Sequence, residues 1–320
     1  MLSIARRHTI LNTHSFCFDY TVGSYLIAGG YVNRGPFNIT EVVDLLKSNS
    51  TPSFGQLPSV YHDNAVGAML GNVPIICGGS VVLSPVDFCI SFKNSEWSQN
   101  HLLNDKRAFS AGVKINSTTL WILGGWNGSN DLDSTEFIIQ GQSKGVPGPK
   151  LPYTLTCACT VKLSEEEIFV IGGVTLPIYA SKKVWIYYPQ KGFIRHPGPS
   201  LNKGRFTHSC STMTDGEKTL IIVAGGIGAD NTDLDSVEIY DPTENRWQSG
   251  DIKSLGINSY LLSKLCLDMK RYSWIMVRHK KFQANGKTFF VKPFKNLFLE
   301  HITFYVKTTP EIFKLLISFI

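Results

Sequence analysis

Glycine pairs that directly follow apolar runs are the first residues in this sequence with a plausible chemistry. "LWILGGWNGSND" (120–131) is representative, and "GGIGAD" (225–230) comes nearest to a dinucleotide-binding loop. A glycine-rich turn between a strand and a helix binds phosphate through its backbone amides. "GGIGAD" lacks the third glycine of that pattern and opens no predicted helix. We therefore interpret the glycine pairs as structural corners.

Histidine and cysteine show no spacing that predicts catalysis or metal binding. The eight histidines include no His-x-x-x-His or His-Glu-x-x-His pair, and the seven cysteines include no Cys-x-x-Cys pair. The two cysteines of "CAC" (157–159) would not complete a structural zinc site by themselves. The sequence therefore predicts a protein that is not an enzyme, with no metal and no cofactor.

Most of the cysteines are expected to be buried thiols, which pack like small apolar side chains. Cys77 and Cys89 differ, because one ends a predicted strand and the other lies in the next strand along the chain. A disulfide between antiparallel neighbours is geometrically feasible, and it predicts a Cα–Cα distance of about 4.4–6.8 Å.

The glycine pairs recur at a regular interval, and this outweighs the local motif. The second glycines are 46–53 residues apart, at Gly30, Gly79, Gly125, Gly173 and Gly226. Each pair ends a run rich in β-branched and aromatic residues, which predicts a buried strand. A period of this length is typical of repeat architectures.

Each repeat presents the same order of elements. A polar loop after the pair leads to a third strand, such as "DSVEIYD" (235–241), and two units continue to a tryptophan, Trp97 or Trp247. A weaker strand precedes the pair, and in one unit it opens with Arg205-x-x-His208. Each unit is therefore predicted to contain four short antiparallel strands, with the glycines at the end of the second.

These features together resemble the kelch-repeat family over residues 10–250. The match rests on five glycine pairs in phase, on "VEIYDPTENRW" behind the last pair, and on the Arg205-x-x-His208 opening. The resemblance implies an all-β fold, a kelch-type β-propeller with five recognisable four-stranded blades and a degenerate sixth. The glycines would then permit positive φ and close backbone approach between blades. His14 and His208 occupy the same repeat position, which predicts blade packing rather than ligand binding.

A change of composition near residue 250 predicts a domain boundary. Residues 251–320 carry 12 Lys+Arg against 4 Asp+Glu, and the preceding residues carry 19 against 21. We expect residues 1–250 to form the propeller and 251–320 to be a basic tail, with a hairpin at 259–277 as a partial closing blade. Residues 278–320 are expected to be loose or irregular. The basic residues form no nucleic-acid-binding motif, so nucleic acid is not an expected partner.

The sequence leaves two predictions open for the cellular location of the protein. The sequence contains no run of 18 apolar residues, so no membrane span is predicted. The amino terminus has no adequate apolar signal region. Together these two observations favour the cytoplasm. An extracellular location is the alternative, because Asn38, Asn49, Asn116 and Asn127 begin Asn-x-Ser/Thr sequons and a disulfide is feasible.

The loops that follow the glycine pairs are predicted to converge on one face of the propeller and to bind another protein. Aromatic, Arg and Asn residues are enriched where binding energy concentrates, and these loops contain Tyr31, Arg34, Trp126, Asn127 and Tyr179. Arg107 and Arg205, in connections between blades, are expected to join this face.

The kelch resemblance implies a non-catalytic interaction scaffold. Members with an added dimerisation domain present substrates to cullin-type ubiquitin ligases, and others bind the cytoskeleton, so an adaptor role is expected. An extracellular kelch-repeat binding module is one alternative. A copper radical enzyme that resembles galactose oxidase is another; it would need a Tyr–Cys cross-link and two His ligands, for which the sequence has no motif.

Overall fold

A computed structural model of the chain describes most of the residues that the repeats cover, and it describes four later strands. The described residues are 16–21, 24–32, 35–44, 49–51, 54–58, 64–81, 84–189, 193–195, 198–215, 218–249, 282–284, 287–293, 300–307 and 312–319. The regular secondary structure in these ranges is almost wholly β-strand, with turns and loops between the strands, which confirms the all-β prediction.

Five four-stranded antiparallel sheets follow one another along residues 16–249. Sheet 1 contains β1 (Phe16–Thr21), β2 (Ser24–Val32), β3 (Gly35–Asp44) and β4 (Asn49–Thr51). Sheet 2 contains β5 (Val66–Leu70), β6 (Val73–Cys77), β9 (Phe88–Lys93) and β10 (Glu96–Leu102), and its middle loop carries the short hairpin β7 (Ser80–Val81) and β8 (Ser84–Pro85).

Sheets 3 to 5 repeat the same four-strand meander. Sheet 3 contains β11 (Ala111–Asn116), β12 (Thr119–Leu123), β13 (Thr135–Ile139) and β14 (Val146–Pro147). Sheet 4 contains β15 (Cys159–Lys162), β16 (Ile168–Ile171), β17 (Val184–Tyr188) and β18 (Phe193–Arg195). Sheet 5 contains β19 (Ser209–Asp215), β20 (Lys218–Ala224), β21 (Val237–Asp241) and β22 (Arg246–Ser249). The unit predicted from the repeats is therefore confirmed.

The first strands of consecutive sheets lie side by side. β1 contacts β5, β5 contacts β11, β11 contacts β15, and β15 contacts β19. Sheets 2 to 4 thus each present one face to the preceding sheet and the other to the following sheet, which is the arrangement of propeller blades around an axis.

The core lies between the sheets, and the second strands are buried on both faces. In β12, Leu120 and Ile122 pack in the cluster shared with sheet 2, whereas Trp121 and Leu123 pack in the cluster shared with sheet 4. All four side chains are at most 1% exposed. Successive side chains of a strand point to opposite faces, so a strand between two neighbours must be apolar at every position. This explains the uninterrupted apolar runs in front of the glycine pairs.

The glycine pairs join neighbouring sheets through the backbone. Both glycines of each pair in sheets 2 to 5 have positive φ, from +57° at Gly124 to +103° at Gly125. The amide of Gly125 donates a 2.8 Å hydrogen bond to the carbonyl of Leu155, in the connection that enters sheet 4. A Cβ on Gly124 would lie 2.1 Å from that same carbonyl oxygen. These contacts occupy the backbone that a phosphate would need, and they confirm the structural interpretation.

Two disulfides are present among the described residues, one within a sheet and one between two sheets. Cys77 and Cys89 are directly paired between β6 and β9, with a Cα–Cα distance of 4.0 Å. The bond confirms the predicted pair, although the Cα separation is shorter than the expected range. Cys159 of β15 bonds Cys210 of β19, so sheet 4 is tied to sheet 5. The expectation of buried thiols at these two positions was wrong, because the sequence alone does not show that the first strands of successive sheets adjoin.

The carboxy-terminal strands form a further four-stranded sheet. It contains β23 (Phe282–Ala284), β24 (Lys287–Pro293), β25 (Glu300–Lys307) and β26 (Ile312–Phe319), again in meander order. The expectation that residues 278–320 are loose or irregular was therefore wrong for these strands. It relied on basic charge and missing glycines, whereas strand formation needs only β-branched and aromatic runs such as "ITFYV". The hairpin predicted at 259–277 lies outside the described residues.

We predict that Gly125→Ala destabilises the protein more than Gly141→Ala does. Both glycines have positive φ, but a Cβ on Gly125 would lie 2.2 Å from the Ser110 hydroxyl and 2.8 Å from the Ala108 carbonyl oxygen, whereas a Cβ on Gly141 would have no atom within 4 Å. The excess for Gly125→Ala should be roughly 1–3 kcal/mol from overpacking. Chemical denaturation of both variants measures it, and equal losses would contradict the close packing at Gly125.

Candidate partner-binding face

The loops that follow the glycine pairs lie at one end of the sheets. The first residue of each loop forms an antiparallel β-bridge with the connection that enters the same sheet. The bridges are Trp126 with Ala108, Val174 with Thr156, and Ile227 with Phe206. The loops and these connections therefore adjoin. We call this end the post-glycine face; in sheets 3 to 5 it comprises loops 126–134, 174–183 and 227–236 and connections 103–110, 151–158 and 201–208.

The sheet 4 loop presents the most exposed apolar surface of this face. Leu176 is 48% exposed, Ile178 is 45% exposed and Tyr179 is 54% exposed. The loop is held by a small closed turn, in which the amides of Thr175 and Ile178 each donate to the other residue's carbonyl. Three large apolar side chains are thus displayed on a braced loop, where their burial by a partner would be favourable.

Acidic loops flank this apolar loop on both sides. In the sheet 3 loop, Asp131 and Asp133 are partly exposed, and Lys150 pairs with Asp133 at 3.1 Å. In the sheet 5 loop, Asp230, Asp233 and Asp235 are exposed. The Thr232 hydroxyl and amide both donate to the Asp230 carboxylate, which lowers its pKa. The pKa of Asp131 is raised by partial burial.

The structure places the predicted binding residues in different environments. Tyr179 is exposed, whereas Trp126 and Asn127 are half-buried. Asn127 accepts from the amides of Ser129 and Asn130 through its side-chain oxygen and so braces its loop. Tyr31 lies near the end of β2, where its backbone pairs with Pro36, and its side chain is outside the described residues, as is Arg34.

Arg107 and Arg205 are not surface residues, and their expected place on the binding face is corrected. They are 1% and 0% exposed. Arg107 donates a 2.8 Å hydrogen bond to the Gly124 carbonyl and forms an ion pair with the Glu136 carboxylate at 2.8 Å. Arg205 makes the same two contacts within sheet 5, to Gly225 at 2.7 Å and Glu238 at 2.8 Å.

These arginines fix the glycine corner of their own sheet. The second carboxylate oxygen of Glu238 accepts the Asn202 amide at 2.6 Å, and the first accepts the Lys203 amide at 3.0 Å. Burial lowers the pKa of the Arg205 guanidinium, and Glu238 opposes that shift. A buried charge is tolerated when it is both paired and hydrogen-bonded. Arg205 therefore positions loops and does not contact a partner.

Sheet 4 shows the apolar counterpart of this pair. The backbone contacts of Leu155 correspond to those of Arg107 and Arg205, since each carbonyl accepts from a glycine amide of the preceding sheet. Trp185 pairs with Val170 in the register position that Glu136 and Glu238 occupy in their sheets. In sheet 4, Leu155 thus takes the place of the arginine and Trp185 takes the place of the glutamate. Since both charged residues are replaced, this corner has no buried charge without a partner.

His208 is buried at the junction of sheets 4 and 5. Its side chain lies against the glycine corner of sheet 4, because a Cβ on Gly172 would be 2.7 Å from the His208 ring. Desolvation, with a smaller contribution from the nearby Arg205 charge, lowers the pKa of His208 to about 3. The predicted packing role is therefore confirmed for His208, whereas His14 lies outside the described residues.

Sequence reasoning missed Leu176 and Ile178. The signal was present in "VTLPIYAS" (174–181), where apolar residues surround a proline in a segment placed between two strands. Within the described residues, no group of three or more His, Cys, Asp or Glu side chains is arranged to hold a metal ion. No helix among those residues is long and apolar enough to cross a bilayer.

Comparison with known proteins identifies the class of fold. Residues 218–250, which include β20 to β22, match the family model of the kelch motif. The solved structure of YjhT is similar, with a TM-score of 0.59 and 13% identity, covering 75% of this chain and 83% of that chain. No curated protein gives a significant match. The predicted kelch resemblance is confirmed: the chain contains a kelch motif and has a kelch-type β-propeller fold.

We predict that Arg205→Leu lowers the free energy of unfolding by about 3–5 kcal/mol, because Glu238 would remain buried without its cation. Adding Glu238→Gln should recover part of this loss, since the neutral side chain removes the unpaired buried charge and its single oxygen still accepts from one of the two amides, Asn202 or Lys203, that donate to Glu238. A double-mutant cycle by chemical denaturation measures the coupling. Strictly additive losses would contradict a coupled pair.

We predict that His208 makes the protein acid-sensitive. In the unfolded chain this imidazole takes up a proton near pH 6.5, but in the folded chain it does so only near pH 3. Its contribution to stability is therefore present above about pH 6.5 and is lost progressively as the pH falls, by about 2–3 kcal/mol between pH 7.5 and 4.5. His208→Ser should reduce the pH dependence of unfolding by that amount, and an unchanged slope would refute the assignment.

Proposed function

We propose that this chain is a non-catalytic protein-binding module that captures its partner through the post-glycine face. The observation that carries the proposal is the exposed cluster of Leu176, Ile178 and Tyr179 on a braced loop. Binding energy concentrates in a few large side chains that become fully desolvated. Because the loop is held by its own hydrogen bonds, little ordering entropy would be lost when a partner docks.

The charges around the cluster indicate the chemistry of the partner. Carboxylates of the sheet 3 and sheet 5 loops lie on either side of the apolar loop, with Asp230, Asp233 and Asp235 exposed. A partner segment with apolar side chains between basic residues would complement this surface. Such charges mainly raise the association rate, and salt screens their effect.

The setting of the partner is a separate part of the proposal. The kelch-type fold supports an adaptor, as in ligase or cytoskeletal scaffolds, and equally an extracellular binding module. The two disulfides, Cys77–Cys89 and Cys159–Cys210, favour the extracellular setting, because disulfides persist in oxidising compartments.

Affinity capture followed by binding measurements with the purified partner tests the proposal. We predict that Ile178→Ala and Tyr179→Ala each weaken binding by about 30-fold, the equivalent of 2 kcal/mol at a binding hot spot. Thermal stability should be nearly unchanged, because both side chains are about half exposed in the free protein. Raising the salt concentration should slow association.

A matched variant at the other end of the sheets serves as the control. Glu166 is exposed in the turn between β15 and β16, which antiparallel topology places opposite the post-glycine face. Glu166→Arg should bind normally. Loss of binding in Glu166→Arg, with normal binding in both loop variants, would contradict the proposal and would indicate a binding site at the end opposite the post-glycine face.

A further inference from the structure

Asn116 occupies an exposed turn with the geometry of a modification site. It begins the sequon Asn116-Ser117-Thr118 at the end of β11, and all three residues are exposed. The Asn116 side-chain oxygen accepts the Thr118 amide at 2.9 Å and the Thr118 hydroxyl at 3.1 Å. Asn116 Nδ2 makes no hydrogen bond to any described residue. The Asn116 side chain is thus held in place through its oxygen, with Nδ2 available for modification and the Thr118 hydroxyl adjacent.

Asn127, whose side chain the structure also describes, lacks this combination. Asn127 is half-buried in a tight turn, in which its amide donates to the Asn130 carbonyl and its side-chain oxygen accepts two backbone amides. Its third residue is Ser129, whose backbone amide makes the contact to the Asn127 side chain. Asn38 and Asn49 lie in β3 and β4. A bulky substituent fits an exposed turn and would disturb a packed loop.

The cysteines supply an independent indication of the compartment. Four cysteines form two disulfides, one within sheet 2 and one that joins sheet 4 to sheet 5. Structural disulfides form and persist in the secretory pathway and outside the cell. Asparagine-linked glycans are attached in the same pathway, so the cross-links and the exposed sequon point to one environment.

We propose that Asn116 is a site of N-linked glycosylation. The donor is an oligosaccharide carried on a polyisoprenyl diphosphate, and a transferase of the secretory pathway catalyses the transfer. The bond between the sugar anomeric carbon and the diphosphate oxygen breaks, and a bond from that carbon to Asn116 Nδ2 forms. Nδ2 loses one proton, and the polyisoprenyl diphosphate leaves with the electron pair of the broken bond. No oxidant or reductant takes part.

The glycan would lie away from the post-glycine face. The turn at Asn116 connects β11 to β12, and the sheet 3 loop of that face follows β12 at its opposite end. The five residues of β12 separate the two ends by roughly 17 Å. A glycan at Asn116 therefore leaves the proposed binding loops open, whereas one at Asn127 would stand within them.

The test uses the full chain directed into the secretory pathway of eukaryotic cells by an added leader. We expect an electrophoretic mobility shift that peptide N-glycosidase removes, with conversion of Asn116 to aspartate detected by peptide mass spectrometry. Asn116→Gln and Thr118→Ala should abolish glycan at this site completely. Thr118→Ser and Ser117→Ala keep the sequon and should retain it. Asn127→Gln should leave the Asn116 glycan unchanged.

Non-reducing peptide mapping identifies chains that folded with Cys159 bonded to Cys210, and only those chains are scored. An Asn116 that stays unmodified in secreted, disulfide-bonded protein would overturn the proposal. So would a glycan at Asn127 with none at Asn116. The outcome is distinct from that of the binding experiments, because glycosylation is read from mass and not from partner capture.

Discussion

Backbone hydrogen bonds between consecutive sheets hold this structure in its repeating form. In sheets 2 to 4, the second glycine amide donates to a carbonyl in the connection that enters the next sheet: Gly79 to Arg107, Gly125 to Leu155, and Gly173 to Arg205. The bonds require positive φ and the absence of a side chain, since a Cβ on Gly78, Gly124 or Gly172 would lie within 2.6 Å of the accepting oxygen. The spacing of the glycines along the chain therefore sets the spacing of the sheets.

The remainder of the core follows from this stacking. A sheet held between two others has no solvent-facing side at its second strand, so β16 is apolar throughout and β12 is apolar from Leu120 to Leu123. Among the described residues, the buried Arg and Glu side chains are paired with each other, as with Arg205 and Glu238, and Glu238 also accepts from two backbone amides. Where sheet 4 lacks the arginine, it has Leu155 and Trp185 in its place. The shared corner is thus built in two chemically different ways.

Rigid corners allow the intervening loops to differ. The sheet 3 and sheet 5 loops carry carboxylates, whereas the sheet 4 loop carries Leu176, Ile178 and Tyr179 in exposed positions. The opposite end of sheet 3 carries the exposed Asn116 turn. Antiparallel strands separate these features, so partner binding at one end and modification at the other are compatible in one molecule.

The sequence by itself determined the repeat, the strand order within each unit and the structural role of the glycines, because each depends on local periodicity and on backbone freedom. It also predicted the Cys77–Cys89 pair, whose members lie on adjacent strands of one unit. Contacts between units were decided only by the tertiary structure. Arg107 and Arg205 resembled surface residues because arginine usually is exposed, and only their proximity to Glu136 and Glu238 accounts for their burial. Cys159 and Cys210 are 51 residues apart and meet only because the first strands of successive sheets adjoin. The four-stranded sheet at 282–319 lacked the glycine signature, and only the tertiary structure showed that its strands pair with one another in one sheet.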